Sequence, residues 1–196
     1  MFPENEKEAF QKLFSEKSLG RHQETSRFLS AAEIGAIHAW IAEMAQHKLL
    51  LHKLQACKKI LQLQSPVLGN GMNRIVFDLQ NGTVLKVALS EWGYRSNETE
   101  AQIYRDGANI LKKHLCPVYE SGHGWIIMQK MMRKVPMSLV HVRALVELEV
   151  KFLFNGILPV DLRLANTALS EQDEIVVIDY GMFIKGFDSP YFKKKG

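Results

Sequence analysis

The run RIVFDLQNGTVLKVAL, residues 74–89, constrains the fold more than any other stretch. Two strand-like segments flank Asn81-Gly82, a dipeptide that accepts the positive φ angles of a tight hairpin. An antiparallel sheet must therefore stand in the middle of a chain that otherwise reads as helical at its start. Ser30-Ala-Ala-Glu33 has the form of a capping box, and Ile34, Ile37, Ile41 and Met44 follow it at helical spacing. Leu50, Leu54, Cys57 and Leu61 continue as a second apolar stripe, so one long helix, or two joined near His47-Lys48, is expected. An earlier helix is expected within ENEKEAFQKLFSEKSLG, residues 4–20, with Phe10, Leu13 and Phe14 on one face.

After Ser65-Pro66 the pattern runs hairpin, helix (SNETEAQIYRDGANILKKHL), strand (GWIIMQKMM), helix (SLVHVRALVELEVKFLF), loop and a second hairpin (TALSEQDEIVVIDYG). A sheet followed by helices in this order implies an α+β fold. Residues 1–63 form a helical extension and 64–196 the core. At 196 residues with 46% hydrophobic and 23% charged side chains, one such core can be buried. Cys57 and Cys116 lack metal-ligand spacing and make no disulfide framework. The acidic, polar start is not a signal peptide, and no apolar run spans a bilayer. A cytoplasmic protein with no membrane contact is expected. The net charge of +4 owes much to the terminal KKKG, which reads as a solvated tail, so a nucleic-acid partner is not expected.

The chemistry concentrates near the end. Asp161 and Asn166 lie in the loop leaving the last helix, and Asp179-Tyr180-Gly181 follows the apolar run Ile175-Val176-Val177-Ile178. Two carboxylates with an amide between them can hold Mg²⁺ through oxygen ligands and leave one carboxylate to accept a proton. Such a set suits phosphoryl transfer, where catalysis is mostly positioning and charge neutralisation. Upstream, Gly69-Asn70-Gly71 offers backbone N–H groups to phosphate oxygens without a Cβ in the way.

In that order these residues resemble the protein-kinase-like superfamily. Its glycine-rich loop, strand lysine, catalytic loop and D-F-G motif are matched by Gly69 to Val76, Thr-Val-Leu-Lys86, Asp161-Leu-Arg-Leu-Ala-Asn166 and Asp179-Tyr-Gly181. The resemblance covers residues 67–183, about three-fifths of the chain, and implies a minimal bilobal fold with an antiparallel sheet lobe and a reduced helical lobe. It implies ATP and Mg²⁺ as cofactors. Lys86 would orient the α- and β-phosphates. Its carboxylate partner would be Glu100, which shares the inward helix face with Ile103, Tyr104 and Leu111, whereas Glu98 shares a solvent face with Gln102 and Arg105. Gly69, Asn70, Gly71 and Val76 would cover the nucleotide. Met128 would stand at the gatekeeper position, with Gln129 to Met131 as the adenine hinge. Asp161 would take the acceptor's proton, with Arg163 beside the transferred phosphate, and Asn166 and Asp179 would hold Mg²⁺. The acceptor is a hydroxyl on a protein or a small molecule.

Three departures accompany the likeness. Arg74 replaces the third glycine and is expected to stiffen the phosphate cover and touch phosphate. Pro159-Val160 stand where relatives keep His-Arg, which argues against control by a phosphorylated activation loop. Only fifteen residues follow Gly181, with no Ala-Pro-Glu motif and no helical platform for a peptide. The N-terminal helices are therefore expected to cover the face of the large-lobe helix left bare, or to meet a partner protein. A pseudokinase, or a nucleotide-binding module without transfer, is the alternative reading, and a helical adaptor acting through residues 1–63 is a third.

Overall fold

A computed structural model describes residues 24–186. The helix expected within residues 4–20 and the basic tail lie outside them. Ser30 caps the first helix, α1 (Ala31–Glu43), with its hydroxyl accepting from the Glu33 N–H. The Glu33 carboxylate accepts in return from the Ser30 backbone N–H at 2.8 Å, completing the capping box. A 3₁₀ turn at Met44–Gln46 and extended residues at His47 and Leu49 separate α1 from α2 (Leu50–Leu61), so two helices form rather than one.

Strands β1 (Val67–Asn70), β2 (Arg74–Asp78), β3 (Thr83–Ala88), β4 (Val118–Gly122) and β5 (Trp125–Gln129) make one antiparallel sheet in the order β1-β2-β3-β5-β4. In the β2–β3 turn, Gly82 has φ +83° and the Asn81 side chain accepts from Thr83 N and Oγ1. Helices α3 (Glu91–Asp106) and α4 (Asn109–Lys112) separate β3 from β4. The single helix expected over 96–115 is thus two. The first begins earlier, at its Ser90 cap, and ends at the extended Gly107.

The reduced lobe holds β6 (Arg133–Lys134), α5 (Leu139–Phe154), β7 (Ile157–Leu158), a 3₁₀ turn at Leu164–Asn166, β8 (Thr167–Leu169), β9 (Ile175–Val177) and β10 (Ile184–Lys185). β6, β8 and β9 form a small antiparallel sheet, and β10 pairs with β7. This is the α+β, two-part arrangement that the resemblance implied, with an antiparallel five-stranded sheet and a shortened helical part.

Strand alternation sorts the main sheet onto two cores. Ile75, Phe77, Leu85, Val87, Trp125 and Ile127 face one way and pack with Ile34, Ile37, Trp40, Ile41, Cys57 and Leu61 of α1 and α2. Trp40 is fully buried and its indole N–H donates to Ala88 O at 2.7 Å. Each fully buried side chain of this size stabilises the fold by roughly 1.5–3 kcal/mol. The opposite residues, Val84, Ile126 and Met128, join Ile103, Leu111, Leu148, Phe152, Val177 and Tyr180 in a second core.

The expectation for the N-terminal helices is corrected here. The residues of α1 and α2 cover the outer face of the sheet, where they bury Ile75, Phe77, Leu85, Val87, Trp125 and Ile127. They do not cover the outward face of α5, whose Leu139, Val140, Val146 and Val150 are exposed, while its Leu148 and Phe152 pack in the second core. Leu50, expected inward, is also exposed. Among the described residues no helix is long and apolar enough to cross a membrane.

Candidate active site

Register places Val76, Lys86 and Ile126 in one row across β2, β3 and β5, on the face turned away from α1 and α2. All six residues of β3 are buried, so Lys86 cannot reach bulk water and needs an internal counter-ion. α3 supplies it. Glu100 is fully buried and lies 3.1 and 3.2 Å from the Lys86 Nζ through its two oxygens. The third ammonium proton goes to Ile178 O at 2.8 Å, which ties β3 to the chain just before Asp179. Glu100 also accepts from the Tyr180 backbone N–H at 3.1 Å.

Asp-Tyr-Gly sits where two segments meet closely. A Cβ on Gly181 would lie 2.5 Å from the Ser96 Cβ and 2.9 Å from its Cα, so only glycine fits against α3 there. Tyr180 is buried and its hydroxyl donates to Cys116 O at 2.8 Å. Burial pushes that phenol far above its usual range and the Cys116 thiol up to about 12, so both stay neutral.

The loop after β7 is held together by Asn166. Its side-chain amide donates to Asp161 O at 2.9 Å and to Asp161 Oδ2 at 3.0 Å, while its backbone carbonyl accepts from Ile178 N at 2.9 Å. Asp161 is exposed and has φ +63°, a left-handed conformation uncommon outside glycine and held here by the amide. The Arg163 Nε lies 3.3 Å from the Asp161 carboxylate. Lys86 and Glu100 thus form one buried group and Asp161, Asn166 and Arg163 a second, and the two are tied through the Ile178 backbone, whose carbonyl accepts from Lys86 and whose N–H donates to Asn166 O.

Arg74 departs from expectation. Its side chain, expected to reach phosphate, turns inward instead, because Glu100 and Asp179 lie beneath β2 and a buried guanidinium needs anionic partners. It donates to Glu100 Oε2 at 2.7 Å, to Glu100 Oε1 at 3.3 Å, to Asn97 Oδ1 at 3.2 Å and to Asp179 Oδ1 at 2.5 Å. Burial alone would lower its pKa, but Glu100 and Asp179 reverse the shift and raise it. Burial likewise pushes Asp179 up, and Arg74 and Lys86 more than offset that, leaving its carboxyl below the usual range.

Gly69 and Gly71 have open space where a Cβ would stand. Neither packing nor positive φ requires glycine there. Met128 is buried in the second core. Along residues 129–131, Gln129 N donates to Pro117 O and Lys130 N to Gly82 O, whereas the Met131 backbone has no hydrogen bond among the described residues. Sequence reasoning missed Asn97, the Ile178 carbonyl and the inward turn of Arg74. The first two carry no local signal, since only the packed fold brings them to the ammonium and the guanidinium.

Among the described residues no three His, Cys, Asp or Glu side chains gather as a metal site. Asn166 and Asp179 nevertheless supply the hard oxygen donors that suit Mg²⁺, which takes one or two carboxylates and completes its shell with phosphate and water. The donor set fits that ion.

No family model matches the chain, and no curated protein matches it. The solved structures to which it is similar include Rio2 kinase and the bifunctional kinase-methyltransferase WbdD. Rio2 kinase from Chaetomium thermophilum, in an ADP/Mg²⁺–phosphoaspartate complex, is similar with a TM-score of 0.49 and 14% identity over 92% of this chain and 73% of that one. WbdD, in a co-crystal with the kinase inhibitor LY294002, has a TM-score of 0.47 and 14% identity over 61% of this chain and 33% of that one. The chain spans about a third of the length of the WbdD structure.

Proposed function

We propose that this chain is an ATP- and Mg²⁺-dependent phosphotransferase that moves the γ-phosphoryl group to a hydroxyl on a protein or a small molecule. The observation that carries the reading is the buried Lys86–Glu100 pair at 3.1 Å, whose ammonium is also bonded to the residue before Asp179. Lys86, held by Glu100, orients the phosphates. Around Asn70, Gly69 and Gly71 leave the backbone open to phosphate with no Cβ in the way, although the Gly71 N–H is itself bonded to Arg74 O at 2.9 Å. Val76 and Met128 line the base side, and the unpaired Met131 backbone, beside Gln129, is the hinge contact for adenine.

Asp161 accepts the proton as the acceptor oxygen bonds to the γ-phosphorus and the bond to the bridging oxygen of ADP breaks. Arg163, beside it, balances the charge of the transferred group. Asn166 and Asp179 would hold Mg²⁺, which when bound neutralises phosphate charge. The Arg74–Asp179 contact favours a second reading, a module that binds nucleotide without transfer.

Incubation with γ-labelled ATP, Mg²⁺ and a generic hydroxyl acceptor separates the two. Label on the protein or the acceptor, absent in Asp161→Ala and Asp179→Ala, supports the kinase. Nucleotide binding with no label in any of the three supports the module.

A further inference from the structure

Lys86, Glu100, Asp161, Asn166 and Asp179 all have tasks in the proposed function, and Arg74 has none. Its side chain is only 10% exposed, so it is part of the built interior rather than a surface charge. One edge of its fork lies along Glu100 and Asn97, and NH2 reaches across to Asp179 Oδ1. Meanwhile all three protons of the Lys86 ammonium are directed at Glu100 and Ile178 O. Both cations are thus fully engaged, and the carboxylate expected to hold a metal already has a cation on one of its oxygens.

We infer that Arg74 is a positioning residue that stands in for the divalent cation at Asp179, so that guanidinium and metal compete for one carboxylate and Arg74 sets the metal concentration at which the site loads. This rests on the proposed function. The asymmetry of the contacts gives the device its direction. Arg74 is anchored by Glu100, which is fully buried, and by Asn97, so it cannot follow Asp179 outward. The Asp179 side chain is 47% exposed, so it meets solvent where Glu100 does not. A metal ion held by Asp179 repels the adjacent guanidinium, and the exchange gives up one charge-assisted hydrogen bond while the Arg74–Glu100 pair stays whole. Without metal, the same contact keeps Asp179 neutralised and in place.

The test is a Mg²⁺ titration of ADP binding, followed by calorimetry, with melting measured in EDTA. It uses the full chain, Arg74→Met, which keeps the stem and deletes the fork, and Arg74→Lys, which keeps the charge and loses the bridge. Both variants should melt lower in EDTA. Both should load at a lower half-saturating Mg²⁺ concentration, by about tenfold for Arg74→Met, the size of one charge-assisted hydrogen bond. Should Arg74→Met fail to fold, the direction in Arg74→Lys decides. Wild type binding ADP with an unchanged Mg²⁺ requirement in the variants overturns the inference alone and leaves Arg74 a structural residue. Absence of ADP binding in all three proteins, with and without Mg²⁺, overturns the proposed function and this inference together.

Discussion

Glu100 is the residue on which the cluster turns. It accepts from Lys86, Arg74 and the Tyr180 backbone while fully buried. Removing one partner of a buried ion pair leaves charge unpaired in a medium that cannot solvate it. Glu100→Ala should therefore destabilise the protein by about 3–5 kcal/mol, measured by urea denaturation, because two cations then face only Asp179. A loss below about 1 kcal/mol, as for an exposed pair, would contradict the geometry. Lys86, Glu100 and Asp179 of this cluster were legible in the sequence, since they stand at motif positions or on a readable helix face. The inward turn of Arg74 was not. Its neighbours in the loop suggest a phosphate cover, and only the placement of α3 beneath β2 supplies the carboxylate that draws it in.

At the scale of elements, His114 joins the large-lobe helix to the small sheet. The carbonyl of Ile175 can only accept, so the imidazole Nδ1 carries the proton and donates at 2.9 Å, and Nε2 accepts from the Lys151 ammonium at 2.9 Å. Burial lowers the His114 pKa, and Lys151 and Lys113 lower it further, against the Ile175 bond and Glu174. A histidine held neutral in the fold binds fewer protons than in the unfolded chain, so its contribution is present above the unfolded value of about 6.5 and is lost as pH falls through the depressed one. The melting temperature should drop between pH 7 and pH 5, and His114→Gln should flatten that drop; equal pH profiles would contradict the assignment.

The elements themselves were unevenly readable. The hairpins β2–β3 and β8–β9, strand β5 and helix α5 follow from alternation, the Asn-Gly turn and helical spacing. β1 has four exposed residues and no alternation, and β4 is Val-Tyr-Glu-Ser-Gly, half polar, so neither signals a strand. Both are edge strands of the sheet, ordered by pairing rather than by their own pattern.

For the whole molecule, the consequence lies in how the sheet is covered. α1 and α2 bury Leu85, Val87, Trp125 and Ile127 on the face opposite the candidate site. Residues before α1 add polar ties, with Ser26 and Arg27 bonded to Glu120 and Glu24 to the His123 backbone N–H. Deleting residues 1–62 would expose that whole apolar face. The remainder should aggregate or melt without cooperativity in calorimetry, whereas a sharp, reversible transition would show that the core folds without its cover.

The measurement that bears most directly on a single nucleotide–metal pocket is ATP binding in the presence of Mg²⁺, followed by calorimetry for wild type, Lys86→Met and Asp179→Ala. Saturable binding to wild type that is lost or strongly weakened in both variants is the predicted result. Equal binding in all three proteins, or none in wild type, would contradict it.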